Sequence, residues 1–291
     1  MHSSQKLKLE CALYVVATPI GNMRDISLRA LDVLGSADTI AAEDTRNSAH
    51  LLTHHGITAK RLLALHQHNE RGAAEKVAAL LAQGQSVALI TDAGTPAVSD
   101  PGALVVEAVR AAGYRVIPIP GANAAVAALS AAGLATPHFL FYGFLPNKSA
   151  ARCKELQTLL EHPYTLVFYE APHRIVECVA DLAEVFGGER QIVLAREVTK
   201  LFESIHRCRL DEALEWLNSD ANNLRGEFVV LLSAAPARAE GLSAEAEHVL
   251  GVLLKELPLK QAVQLAVQIT GVARNELYQR ALLLKATDQA E

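Results

Sequence analysis

The chain is predicted to be an α/β protein: two α/β domains, an N-terminal one with a mostly parallel sheet and a second one with a mixed sheet, plus a small helical C-terminal extension. Three observations predict this. Short runs that are apolar at nearly every position alternate with helix-patterned stretches, glycine closes several of those stretches, and the pattern changes after Pro118-Ile119-Pro120-Gly121. Runs without polar alternation suit strands covered on both faces, and intervening segments long enough for a helix make neighbouring strands parallel.

Taken in order, strands are predicted over 12–17, 39–42, 62–65, 87–91 and 116–119. Helices fit 27–34, 47–54, 70–83 and 102–112, with Gly35, Gly56, Gly84 and Gly113 as their C-terminal stops. Residues 122–132 read as a small-residue helix leading into the second domain, whose strands are predicted over 139–142, 165–169, 192–197, 202–209 and 227–232. The stretch around Val198-Thr199-Lys200 leaves room for a hairpin, which makes this sheet mixed. A polar, Ala-rich linker follows over 234–241. A helix then starts near Ser243 with Glu245 and Glu247 in its first turn, and another runs from Pro258 to just before Gly271. The third places Leu277, Ala281 and Leu284 on one face, leaving Arg274, Tyr278 and Lys285 largely elsewhere. The predicted boundaries are 12–120, 121–235 and 236–291. Helix, glycine turn, helix is compatible with a helix-turn-helix-like module, though a helical cap or a dimer contact is the simpler reading.

With 291 residues, 51% of them hydrophobic and 20% charged, the chain can bury a sizeable core. No apolar run is long enough for a bilayer, and the start lacks the apolar core of a secretory signal, so the cytoplasm is the expected compartment. Cys11, Cys153, Cys178 and Cys208 lie far apart, which speaks against a zinc ribbon or a disulfide framework. A formal net charge of −5 would not draw a polyanion to the surface, so nucleic-acid binding must come from local basic clusters.

Ligands of α/β sheets bind beyond the C-terminal ends of the strands. There this sequence has Thr18-Pro19-Ile20-Gly21-Asn22, Asp92-Ala93-Gly94-Thr95-Pro96 running on to Ser99-Asp100-Pro101-Gly102, and Pro120-Gly121-Ala122-Asn123. Glycine lets backbone approach a ligand, proline fixes the path, and the small hydroxyl and carboxylate groups hydrogen-bond. None of these loops matches G-x-G-x-x-G or the Walker pattern, which disfavours a dinucleotide oxidoreductase or a P-loop nucleotidase. Glu43-Asp44-Thr45-Arg46-Asn47 and His66-Gln67-His68-Asn69-Glu70 form two ionisable clusters at further exits. Asp44 and Asn47 fit a site or a helix cap. His66 and His68 lack a third ligand at recognisable spacing, so no metal is expected and a polar substrate loop fits better.

Together, 13–22, Ala42-Glu43-Asp44-Thr45-Arg46, 89–102, Tyr169-Glu170-Ala171-Pro172-His173-Arg174 and Arg196-Glu197-Val198-Thr199-Lys200 resemble the tetrapyrrole methylase superfamily, the class III methyltransferases. The resemblance implies two α/β domains with S-adenosylmethionine between them, and a homodimer. For the RNA-modifying members that this chain resembles, it implies methylation of the ribose 2′-oxygen of a cytidine in small-subunit ribosomal RNA, free or in an assembled subunit. Carried onto this sequence, it implies cofactor contacts at Pro19, Gly21, Asp92, Ala93, Gly94, Ser99, Asp100, Gly121, Ala122, Ser130, Tyr169 and Glu227. Thr-Pro-Ile-Gly-Asn and Asp-Ala-Gly-Thr-Pro stand where the corrin and sirohaem branches tend to carry Gly-Pro-Gly-Asp and Gly-Gly-Asp-Pro, which argues against a tetrapyrrole substrate.

Candidate general bases are Asp44, Glu170 and Glu197, while Arg46, His66, His68, His173, Arg174 and Lys200 are candidates for orienting the ribose or gripping phosphate. Lys148 and Arg152, with Lys154, make the expected basic patch for RNA backbone, unless they are a solvated helix face. Ordinary surface ion contacts or a helix start account equally for Arg196-Glu197, Lys200-Glu203 and His173-Arg174. The rival readings are a small-molecule methyltransferase of the same superfamily and a noncatalytic RNA-binding assembly protein.

Overall fold

The computed structural model describes residues 8–135, 137–235, 242 and 244–288, with only the backbone at 244 and 285–288. The predicted cap at Ser243, most of the predicted linker and the Lys285 side chain therefore lie outside the described residues. The chain divides into compact units Met1–Ala235 and Pro236–Glu291.

In the first unit, strands β1 (Ala12–Val16), β2 (Thr39–Ala42), β3 (Leu62–Ala64), β4 (Val87–Ile90) and β5 (Arg115–Ile119) alternate with helices α1 (Leu28–Ser36), α2 (Thr45–His54), α3 (Glu70–Ala82) and α4 (Ala103–Ala111). The sheet order is β3-β2-β4-β1-β5, and every pairing is parallel, as predicted. The pleat explains why β1 is apolar throughout. Ala12, Tyr14 and Val16 enter a core with Ala30, Val33 and Leu34 of α1 and Leu52 of α2. Leu13 enters the core on the opposite face, with Val77 of α3 and Val105 and Val109 of α4. Each fully buried side chain of this kind is worth about 1.5–3 kcal/mol, so a one-residue slip would expose a whole face. Gly35 does not stop α1 as predicted; it lies inside the helix, and the N–H of Ala37 closes the turn onto Val33. Gly56, Gly84 and Gly113 all take positive φ just after their helices.

Helix α5 (Ala124–Ala131) then leads to β6 (Phe139–Phe144), α6 (Ser149–Thr158), β7 (Thr165–Glu170), α7 (Ile175–Phe186), β8 (Gln191–Arg196), β9 (Ser204–Arg209), α8 (Ala213–Ser219) and β10 (Phe228–Leu232). The order is β6-β7-β10-β8-β9, with β6 and β7 parallel and the remaining pairs antiparallel. This is the mixed sheet expected, with its hairpin between β8 and β9. One face of the sheet, including Phe168, Leu194 and Val230, packs on α6, α7 and α8. The other, including Val167, Val193 and Leu231, packs on Ala125 and Ala128 of α5. Small residues in α5 let that helix lie close to the sheet.

The second unit holds α9 (Ala244–Glu256), α10 (Leu259–Thr270) and α11 (Arg274–Asp288), with Leu250, Val263, Ala266, Leu277 and Ala281 as its core. Gly271 adopts the left-handed conformation that ends α10. Among the described residues, no helix is long and apolar enough to cross a membrane.

Candidate active site

The turns leaving the first sheet are tied to one another. The backbones of Thr18 and Gly94 exchange hydrogen bonds (2.8 and 3.1 Å), and the Thr18 hydroxyl donates to Thr91 O at 3.1 Å, so the β1 and β4 exits form one ledge. The β5 exit joins through Thr95 Oγ1, which donates to Ala122 O at 3.2 Å. At Gly121 a Cβ would stand 2.9 Å from that of Ala17, a closeness only glycine permits. The β2 exit joins through Asp92, which accepts from the Asp44 N–H (3.1 Å) and from Asn47 Nδ2 (2.9 Å). Glu70 accepts from the N–H groups of Gly102 (2.8 Å) and Leu104 (2.9 Å), anchoring the end of the long β4–α4 loop.

The second sheet reaches this ledge at two places. Gly143 takes φ +83° at an irregularity of β6, where a Cβ would lie 2.7 Å from Ser99 Oγ. The β8–β9 turn covers the first loop: the Asn22 N–H donates to Thr199 Oγ1 (3.2 Å), and a Cβ on Gly21 would meet Lys200 Cγ at 2.5 Å. Lys200 Nζ in turn donates to Glu197 and Glu227, both at 2.8 Å. Among the described residues, the four non-glycine positions with positive φ are Ala97, Ser99, Glu197 and Thr199. All fall in these two facing loops, and strain of this kind concentrates where ligands bind.

Between the loops lies a cavity of about 390 Å³. Ala93, Gly94, Ser99, Asp100, Tyr169 and Glu227 line it, all anticipated as cofactor contacts, as do Glu170, Glu197, His173 and Lys200. The Tyr169 ring meets Phe141 and Phe144 edge to face (5.1 and 5.7 Å), and its hydroxyl accepts from the Ala125 N–H at 3.3 Å. Beside it is a second cavity of about 340 Å³, bordered by Pro19, Gly21, Asn47, His50 and Asp92. The two share Ile20, Ala93, Lys200 and Glu227 as a common wall.

Carboxylates dominate the electrostatics. Burial, reinforced by the charges of Glu43 and Asp92 and opposed by a hydrogen bond from Thr91, pushes Asp100 up to about 6. Burial likewise raises Glu43. For Glu197 burial pulls upward, but hydrogen bonds from Lys200 and the Glu227 N–H, with the charges of Lys200 and Arg196, outweigh it and lower the pKa. Lys200 is raised, its two carboxylate partners overcoming burial.

Several anticipated residues do other work. Asp44 lines neither cavity; it caps α2 and holds Arg46 through Nε and Nη2 (3.1 and 2.7 Å). Those bonds lower its pKa to about 2, which makes it a poor base. Arg152 is not a surface cation: it is fully buried, with Nε 2.5 Å from Asp181 and Nη1 donating to the carbonyls of Pro146 and Asn147. Arg174 is turned inward too, toward Glu170 (3.1 Å) and Leu145 O (2.8 Å). Both clamp the 145–147 loop, because buried guanidinium groups need several acceptors. Lys148 and Lys154 are exposed but line neither cavity. Ser130 donates to Ala127 O on α5, and Gly121 and Ala122 support the ledge from behind. His66 and His68 are exposed with rings 6.1 Å apart. Among the described residues, the one group spaced to hold a metal is Cys153, Asp181 and Glu184, whose Asp181 already serves Arg152. Asn47, read as a site or cap residue, lines the smaller cavity, whereas His50 is missed by the sequence reading; its i, i+3 spacing from Asn47 just after β2 is the available signal.

A family model described as Tetrapyrrole (Corrin/Porphyrin) Methylases matches residues 12–214, and one described as RsmI C-terminal HTH domain matches residues 240–285. A Pseudomonas aeruginosa protein named ribosomal RNA small subunit methyltransferase I is 54% identical, over 93% of this chain and 96% of its own. One of the same name from Escherichia coli O157:H7 is 49% identical, over 93% and 94% respectively. Among solved structures, the fold resembles the methyltransferase CobJ (TM-score 0.58, 22% identity, covering 78% of this chain and 96% of that one). It also resembles a uroporphyrin-III C-methyl transferase from Thermus thermophilus complexed with S-adenyl homocysteine (TM-score 0.53, 18% identity, covering 76% of this chain and 97% of that one).

Proposed function

The chain belongs to the tetrapyrrole (corrin/porphyrin) methylase family, and on that premise we propose that it methylates the 2′-oxygen of a cytidine ribose in small-subunit ribosomal RNA, with S-adenosylmethionine as donor. The observation that carries the reading is the larger cavity, where turns from the first sheet and the β8–β9 loop converge on one space of about 390 Å³. Its residues suit the donor. Tyr169 and Phe144 offer an aromatic face for adenine. The Ala93-Gly94 backbone can approach a ligand closely, and Asp100, Glu170, Glu197 and Glu227 favour a cation. Bound there, the donor supplies an electrophilic methyl group on a sulfonium.

The protein's part is to hold the acceptor oxygen in line with that methyl group and to exclude water. Near-attack positioning contributes about 7–11 kcal/mol, against roughly 3–5 kcal/mol for a general base. Ordered loops therefore matter more than any one carboxylate. The relatives named for small-subunit ribosomal RNA match nearly end to end, which supports RNA over a tetrapyrrole as acceptor. A small-subunit acceptor supports a cytoplasmic reaction, and the family resemblance seen in the sequence supports a homodimer as the working form. The test is to incubate the protein and radiolabelled donor with free ribosomal RNA or unmethylated small subunits, digest the RNA and identify the labelled nucleoside. The expected product is 2′-O-methylcytidine; label on a base, or none in RNA, overturns the assignment.

A further inference from the structure

We propose that the smaller cavity is the acceptor-nucleotide subsite, so that the methyl group crosses at the wall it shares with the larger one. This deepens the reading above and rests on it. The two cavities differ in chemistry. The larger carries the aromatic face, whereas the smaller presents hydrogen-bonding groups suited to a nucleoside: the Asn47 amide, the His50 imidazole and the Asp92 carboxylate. Its volume, about 340 Å³, lies in the range of small-ligand sites and suits one nucleoside lifted out of its stack.

The mouth fits a polyanion. Arg46, His50 and His54 recur at i, i+4 and i+8 on α2 and are all exposed; His50 lines the cavity, and Arg46, paired with Asp44 through Nε and Nη2, keeps Nη1 outside that pair for a neighbouring phosphate. The patch expected at Lys148 and Arg152 cannot serve in this way, since Arg152 is spent inside the protein.

At the shared wall stand Lys200 and Glu227, and among the described residues Glu227 is the one carboxylate that lines both cavities. Its side chain is 78% exposed, with one oxygen held by Lys200. The ribose oxygen forms its bond to the methyl carbon as the carbon–sulfur bond breaks; that electron pair stays on sulfur, and the hydroxyl proton passes to Glu227.

The decisive experiment pairs two variants with wild type, using unmethylated small ribosomal subunits and labelled S-adenosylmethionine. For His50→Ala, at an exposed position that lines the smaller cavity but not the larger, subunit binding by filter retention and KM are expected to worsen about tenfold. Donor affinity by calorimetry and the melting temperature should stay at wild-type values. For Glu227→Gln, kcat should fall about 10²-fold or more while subunit affinity holds, and the acidic limb of the pH–kcat profile should disappear. Wild-type subunit affinity in the folded His50→Ala variant overturns the subsite, and an unchanged pH profile in Glu227→Gln overturns the proton acceptor. If wild type itself places no label in the RNA, the underlying function falls instead.

Discussion

Asp100 lines the larger cavity with its pKa raised to about 6, mainly by burial and then by the charges of Glu43 and Asp92. A carboxyl with a raised folded-state pKa binds its proton more tightly in the native protein than in the unfolded chain. Stability contributed by that proton is therefore lost as pH climbs from the ordinary carboxylate range through about 6. A cation in the cavity reverses the preference and favours ionised Asp100. Affinity for S-adenosylmethionine should accordingly rise with pH through about 6 and level off above it, while the demethylated thioether, lacking the sulfonium charge, should respond less. Asp100→Asn should flatten the donor curve. Calorimetry between pH 5 and 7.5 decides: parallel curves for donor and thioether would remove the sulfonium from Asp100's surroundings. The sequence showed Asp100 as a loop residue of promise, but its charge state depends on Glu43 and Asp92 at other strand exits, a proximity no local pattern encodes.

Helix α6 shows how an element can be present in a sequence while its role is hidden. Its Ser149 to Thr158 stretch is mostly polar, and the charges at Arg152 and Lys154 read as a basic patch for RNA backbone or as a solvated face. The structure instead buries Arg152 against Asp181 of α7, 29 residues away, where it holds the loop that follows β6. Removing one partner of a buried pair leaves the other uncompensated, at a cost of about 3–5 kcal/mol. Arg152→Met should lower the urea midpoint by a corresponding amount, with no such loss for Lys148→Met on the exposed side. Equal midpoints for the two would mean that the Arg152 pair carries no stability. Strands fared better than helices in this half of the chain, because residues covered on both faces are apolar at every step, as in Phe228–Leu232. The amphipathic α7 was not placed beyond its start after Pro172, although its buried positions Ile175, Cys178, Val179 and Leu182 follow helical spacing.

At the scale of the whole chain, every described residue lining the two cavities of the candidate site belongs to the unit Met1–Ala235, while the unit Pro236–Glu291 has a separate core around Leu250, Val263 and Leu277. Among the described residues, none of helices α9 to α11 lines either cavity, which makes a contribution to the acceptor the expectation to test. Their match to a domain described as helix-turn-helix favours the acceptor. A chain ending at Ala235 should keep the melting transition of the first unit and bind S-adenosylmethionine within about twofold of the full-length value. It should methylate small subunits with a KM raised tenfold or more, and a kcat that changes much less, because uniform binding energy lost far from the reacting atoms appears in KM. Steady-state kinetics with labelled donor separates the alternatives. An unchanged KM would take the helical unit out of RNA recognition, whereas loss of donor binding would show that the first unit does not complete its site alone.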